Sequence, residues 1–225
     1  TATASEKGPL SVTRTYYFGA TSAQANAITT PSIFPASSVR TSEIAPQGTD
    51  FGYFGGGEPG PSTKSTVDRI DYSNDTATAV AKGPLTLARR NLGAFGSGSF
   101  GYFAGGQTGP ATAGVSTIDR IDYSNDTATA VAKGPLSVAR YGHGGAGNQS
   151  FGYFGGGVSL SSVDRIDYSN DTATASPKGP LSASQQYISA AGNASFGYFT
   201  GGPAKSIVSR IDYSNDTATA SPKGP

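Results

Sequence analysis

Hydrophobic and polar residues alternate in short runs along this chain, and the runs return in the same order. Val67-Asp68-Arg69-Ile70-Asp71-Tyr72 has a period of two and is rich in β-branched and aromatic residues, the pattern of a strand. Ser73-Asn74-Asp75 then reads as a turn, because short polar side chains hydrogen-bond the nearby backbone. The spacing predicts a second strand over 76–82, stopped by Gly83-Pro84, a third from 86 to about 94, and a fourth over 99–104, closed by Gly105-Gly106. In that fourth strand Phe100 and Tyr102 face one side and Phe103 the other, so both faces of the sheet are expected to be covered.

The whole pattern is repeated. The nine residues from Asp71 to Ala79 recur unchanged from Asp122, Asp167 and Asp212. Phe51-Gly52-Tyr53-Phe54 recurs at Phe100, Phe151 and Phe196, and Gly-Pro-Leu begins at Gly8, Gly83, Gly134 and Gly179. Prolines at 9, 35, 84, 135, 180 and 225 divide a single repeat domain, 1–225, into a short unit 9–34 and full units 35–83, 84–134, 135–179 and 180–225. Four strands per unit is the content of one propeller blade, and aromatics on both faces favour a ring over a linear solenoid. Residues 1–7 read as an outer strand without partners before it and duplicate the phrase at 217–225, so the chain is expected to be part of a longer array or to lend this strand to the short unit or a neighbouring subunit.

The order Leu136-Ser137-Val138-Ala139-Arg140, Gly144-Gly145-Ala146-Gly147-Asn148, Phe151-Gly152-Tyr153-Phe154-Gly155-Gly156, Val163-Asp164-Arg165-Ile166-Asp167-Tyr168, Asp171-Thr172 resembles the kelch repeat. The resemblance covers residues 35–225 well and 1–34 poorly, and the family's Trp on the last strand is replaced here by Ala, as at Ala79 and Ala175. It implies an all-β, kelch-like β-propeller with about four full four-stranded blades and one partial or irregular blade, first strands on the axis and fourth strands outside. The repeated Asp-Tyr-Ser-Asn-Asp-Thr-Ala-Thr-Ala and Phe-Gly-Tyr-Phe-Gly-Gly-Gly phrases are also similar, more loosely, to those of uncharacterised repeat proteins of marine bacteriophages. That likeness implies a virion structural or appendage protein.

Composition narrows the chemistry. Sixteen Lys and Arg against 15 Asp and Glu leave a net charge of +1, so no global field gathers nucleic acid or coats an anionic membrane. No apolar run approaches the roughly 18–20 residues of a membrane-spanning helix. The absence of Cys removes disulfides, thiolate metal sites and a Cys nucleophile, and one histidine, His143, leaves no His cluster for a metal. Asp68, Asp71, Asn74 and Asp75 do not form a calcium loop, since Asp68 and Asp71 fall on opposite faces of a strand. Arg69, Arg120, Arg165 and Arg210 are expected to pair with carboxylates between units. No catalytic constellation stands out, so no enzyme, cofactor or metal site is expected.

Three groups of residues are candidates for binding. Arg14, Arg40, Arg89 and Arg140 all begin a first strand, where they could form a positive channel mouth for anionic groups, or instead each pair with an Asp of the neighbouring unit; Gln185 takes this place in the last unit. The loops after the Phe-Gly-Tyr-Phe strands vary in length and place Glu58, Lys64, Gln107 and Lys205 on one face, a candidate ligand or partner surface. Asn74, Asn125, Asn170, Asn215, Asn148 and Asn193 match the glycan-acceptor pattern, although turn chemistry accounts for Asn there equally. The expectation is a non-enzymatic structural or interaction module, extracellular or on a virion, whose partners are other protein subunits or a surface glycan or receptor. The alternatives are a carbohydrate- or receptor-binding propeller using the variable-loop face and a secreted eukaryotic glycoprotein.

Overall fold

The computed structural model describes residues 7–11, 19–22, 51–58, 62–109, 113–202 and 206–224. These residues are all-β, with no α-helix among them. They form four antiparallel four-stranded sheets, each paired in chain order. Sheet 1 holds β1 (Gly19–Ser22), β2 (Phe51–Gly55), β3 (Val67–Asp71) and β4 (Val80–Lys82). Sheet 2 holds β5 (Gly93–Gly96), β6 (Phe100–Ala104), β7 (Ile118–Asp122) and β8 (Val131–Lys133). Sheet 3 holds β9 (Gly144–Gly147), β10 (Phe151–Gly155), β11 (Val163–Asp167) and β12 (Ser176–Lys178), and sheet 4 holds β13 (Ile188–Gly192), β14 (Phe196–Gly201), β15 (Val208–Asp212) and β16 (Ser221–Lys223). β1, from the expected short unit 9–34, pairs with β2 from the expected unit 35–83, so the two contribute to one sheet.

Several strands are shorter than alternation predicts. Asp71 ends β3 by accepting hydrogen bonds from the Ser73 backbone (2.9 Å) and hydroxyl (2.6 Å), which turns Tyr72–Asn74 into a single 3-10 turn. Asp122, Asp167 and Asp212 repeat this. The expected strand over 76–82 pairs only from Val80, because Ala77 donates back to Asn74 and Ala79 donates outward to Pro9. Apart from one isolated bridge between Arg90 and Gln107, the expected strand over 86–94 pairs continuously only from Gly93. Before it the backbone is drawn aside by Arg89, whose amide bonds the Lys64 carbonyl (3.0 Å), and by Asn91 at φ +56°.

Period two gives each sheet two different faces. In sheet 2, Tyr102 lies opposite Arg120 and faces sheet 3, whereas Phe103 and Ile121 face sheet 1. The core is therefore divided into three apolar layers between consecutive sheets. Tyr53 and Val67 pack with Phe103 and Ile121, Tyr102 and Ile118 with Phe154 and Ile166, and Tyr153 and Val163 with Phe199 and Ile211. Ala130, Ala175 and Ala220, each at the entry to a fourth strand, are buried in these layers. First strands of consecutive sheets lie against one another, β1 with β5, β5 with β9, and β9 with β13. That approach needs small residues, since a Cβ on Gly145 would come within 2.8 Å of the Ala94 carbonyl oxygen.

A polar clamp closes the outer part of each layer. The Asp126 carboxylate of sheet 2 takes the Tyr53 hydroxyl (2.9 Å) and Arg69 guanidinium (2.8 Å) on Oδ2 and the Lys82 ammonium (3.1 Å) on Oδ1, all three from sheet 1. Asp171 receives Tyr102, Arg120 and Lys133 in the same way, and Asp216 receives Tyr153, Arg165 and Lys178. Each arginine also lies over a phenylalanine ring, Arg120 at 4.1 Å from the Phe100 centroid. Burial, together with the neighbouring Asp, pushes the Tyr53, Tyr102 and Tyr153 hydroxyls well above their ordinary range, so they remain donors. The next residue of the repeat is glycine because the chains touch there. A Cβ on Gly134 would collide with the Ala173 carbonyl.

The clamp is expected to contribute to stability. Asp171→Asn removes the anion from three donors and is expected to lower the unfolding free energy by about 2 kcal/mol in urea titration. Asp75, whose carboxylate is 37% exposed and pairs only with Lys7 among the described side chains, supplies the contrast. Asp75→Asn is expected to cost less than about 1 kcal/mol.

Candidate functional site

The arginines expected at a channel mouth turn inward. Arg89 and Arg140 precede β5 and β9, and both side chains have no exposed surface. Arg89 pairs with Asp119 at 3.0 Å and donates to the Phe103 carbonyl (3.0 Å). Arg140 pairs with Asp164 at 3.2 Å and donates to the carbonyls of Gly156 (3.0 Å) and Ser162 (2.7 Å). Each carboxylate belongs to the arginine's own sheet, so the expected pairing with a neighbouring unit holds for the other set, Arg69, Arg120 and Arg165, and not for these. The reason is reach. Asp119 and Asp164 project from the face opposite Arg120 and Arg165, toward the segment that leads into the same sheet. Arg89 and Arg140 therefore supply no open cationic rim. Arg14 and Arg40 lie outside the described residues.

A signal for this buried pair was present in the sequence. Where Arg89 and Arg140 become Gln185, Asp119 and Asp164 become Ser209. The two changes go together in the structure, since Gln185 Nε2 donates to the Ile207 carbonyl (2.8 Å) and its Oε1 accepts from the Ser209 hydroxyl (3.3 Å). Replacing both charges at once leaves no isolated ion in the interior. Thr86, Ser137 and Ser182 add a hydroxyl contact to the same position in each sheet.

His143 lies between these arginines, 3% exposed, with its ring edge-on to Phe154 at 5.5 Å. Burial first, and then the positive charges of Arg140 and Arg89, hold its pKa well below the ordinary value of 6.5. It is a neutral packing residue at neutral pH.

On the variable-loop face, the candidate residues fasten the loops. Glu58 is ion-paired with Arg90, and the Gln107 side-chain carbonyl accepts from Asn91 Nδ2 at 2.7 Å. Both are 5% exposed. Lys64 acts through its backbone, donating to Gly57 (2.9 Å) and accepting from Arg89 (3.0 Å), with its side chain half-buried. Lys205 lies outside the described residues, as do 59–61 and 110–112 within the two longer loops. Tight turns at Gly105 (φ +60°) and Gly106 (φ +97°) start the second of these loops, and the Val115 amide returns to the Gly106 carbonyl at 2.9 Å.

The six glycan-acceptor asparagines divide into two kinds. Asn74, Asn125, Asn170 and Asn215 end the 3-10 turns and are exposed. Asn148 and Asn193 are half-buried, and each side-chain carbonyl accepts two backbone N–H bonds, from Ser150 and Phe151 and from Ser195 and Phe196, all at 2.9 Å. No group of three or more His, Cys, Asp or Glu side chains placed to hold a metal occurs among the described residues. Neither the protein-family models nor the curated proteins contain a match to this chain.

His143 yields a pH prediction. Its folded-state pKa is depressed, so the stability tied to its neutral form is complete above the unfolded value near 6.5 and declines as pH falls below it. No other side chain of this composition has an ordinary pKa between about 5 and 8. The thermal midpoint of the wild type is expected to fall between about pH 6.5 and pH 5, and that of His143→Gln to stay flat there, by differential scanning fluorimetry across pH.

Proposed function

We propose that the chain is a kelch-like β-propeller array of about four blades with an irregular first blade, and that it serves as a non-enzymatic structural or interaction module on the outside of a cell or virion. The observation that carries this reading is the side-by-side run of first strands β1, β5, β9 and β13, with an identical carboxylate clamp at each of the three layers. A central axis needs that order of strands, and a repeated clamp makes the successive sheets a stiff platform.

The platform's working face is the set of loops between second and third strands. Their bases are fixed by Glu58 and Arg90, by Gln107 and Asn91, and by the Gly57 amide on the Arg89 carbonyl (2.9 Å). Their lengths differ from sheet to sheet while the sheets themselves hardly change, which is how partner specificity is grafted on a common scaffold. The partner is another protein subunit or a surface glycan or receptor. Arg89 and Arg140 are too deeply buried to contribute to its recognition.

Two measurements test the reading. Electron microscopy of the purified protein is expected to show curved or disc-shaped particles, and a straight rod would refute the propeller. Replacing residues 57–66 by the short equivalent at 157–162 is expected to abolish binding in a screen of glycans and surface proteins while leaving the thermal midpoint within a few degrees, because the substituted loop already closes the same turn in sheet 3.

A further inference from the structure

The three layers between sheets are built from two complementary faces, and the described sheets leave one of each uncovered. Sheets 1, 2 and 3 present a donor face of Tyr, Arg and Lys, and the following sheet presents an Asp at the end of its 3-10 turn. Sheet 4 repeats the donor face with Tyr198, Arg210 and Lys223. Arg210 is already stacked on Phe196 at 4.4 Å, as Arg69, Arg120 and Arg165 are on their phenylalanines at 4.0, 4.1 and 4.2 Å. The donors are in place, yet none of the three has a carboxylate partner among the described residues. Tyr198 and Val208 are half-buried, whereas their counterparts Tyr53, Tyr102, Tyr153, Val67, Ile118 and Val163 are wholly buried.

Sheet 1 carries the matching half. Asp75 stands where Asp126, Asp171 and Asp216 stand, with 37% of its side chain exposed against 8%, 7% and 8%. Lys7 occupies its Oδ1, the oxygen that lysine takes in the other clamps. Oδ2, which elsewhere receives the tyrosine and the arginine, receives neither among the described residues. Ile70 is half-buried although its counterparts Ile121, Ile166 and Ile211 are at most 4% exposed.

We propose that the outer face of sheet 4 docks on sheet 1 of a second copy of this chain, with Tyr198 and Arg210 of one copy on Asp75 Oδ2 of the next. The proposal rests on reading the sheets as blades. Charge and apolar surface are complementary in kind, and the Tyr198 and Arg210 contacts reproduce ones that the chain makes three times internally. Lys7 and Gly8 of the receiving copy, which already bond Asp75, stand in for the incoming Lys223 and Gly224, so that the end of β16 gives way to them. The contact is head-to-tail, so two copies, each with the four sheets of its described residues, can close into one ring of about eight blades, the upper end of the usual range.

The experiment uses the 225-residue chain and two variants, each disabling one end. Wild type is expected to dimerise with rising concentration in sedimentation velocity, while Asp75→Asn and Arg210→Gln alone remain monomers with unchanged circular dichroism. An equimolar mixture of the two variants is expected to restore a dimer, because one supplies the intact Asp75 and the other the intact Arg210. Tyr198→Phe, which removes only a hydroxyl, is expected to weaken wild-type association by about tenfold. A wild type that stays monomeric at every concentration overturns the proposal. Monomers in which Asp75→Asn and Arg210→Gln lower the thermal midpoint non-additively also overturn it, since sheet 4 then meets sheet 1 within one chain, and the propeller reading survives. Dimers unaffected by either variant overturn it too.

Discussion

A carboxylate shared across two sheets is the interaction on which this architecture depends. Asp126, Asp171 and Asp216 each neutralise an arginine and a lysine and accept a tyrosine hydroxyl from the preceding sheet. Apolar packing alone would let two flat sheets slide, because burial of hydrophobic surface has little directionality. Three donors converging on one carboxylate set both the lateral register and the angle of approach. The stacked pairs Tyr53 with Tyr123, Tyr102 with Tyr168, and Tyr153 with Tyr213, at 4.9, 5.2 and 4.6 Å, lie beside the clamps.

A second buried ion pair serves a different purpose. Arg89 with Asp119 and Arg140 with Asp164 tie the irregular approach segment to the third strand of its own sheet, and so aim the first strand at the layer. The neutral substitute, Gln185 with Ser209, occupies the same place in sheet 4. The position requires hydrogen-bonding groups that satisfy the segment's carbonyls, and charge is one of two ways to provide them. Fully desolvated arginines are thereby scaffold elements, and the variation available for recognition is left to the loops.

Much of this was legible because repetition makes one chain its own comparison. The period-two alternation in Val67-Asp68-Arg69-Ile70-Asp71 and the aromatics on both faces of Phe100–Ala104 mark strands covered on two sides, and the expected pairing of Arg69 with a carboxylate of another unit is met by Asp126. The fate of Arg89 and Arg140 was harder to see. Their position before a strand is equally compatible with a rim and with the interior, and the coupled change to Gln185 and Ser209 was the one clue that separated them. Glu58 and Gln107 sit on loops, a surface position in the sequence, but the loops fold back over Arg90 and Asn91.

The sequence by itself determined the repeat, the strand alternation and the turn chemistry at Asp71, Asp122, Asp167 and Asp212, because these depend on contacts among residues close along the chain. Strand ends at Val80 and Gly93, the union of β1 with β2 across a long intervening segment, and the choice of partner for every buried arginine were decided by tertiary structure. Those features depend on which atoms of distant segments arrive within hydrogen-bonding distance. A pattern along one strand says which face a side chain occupies, and only the stacking of whole sheets says what that face meets.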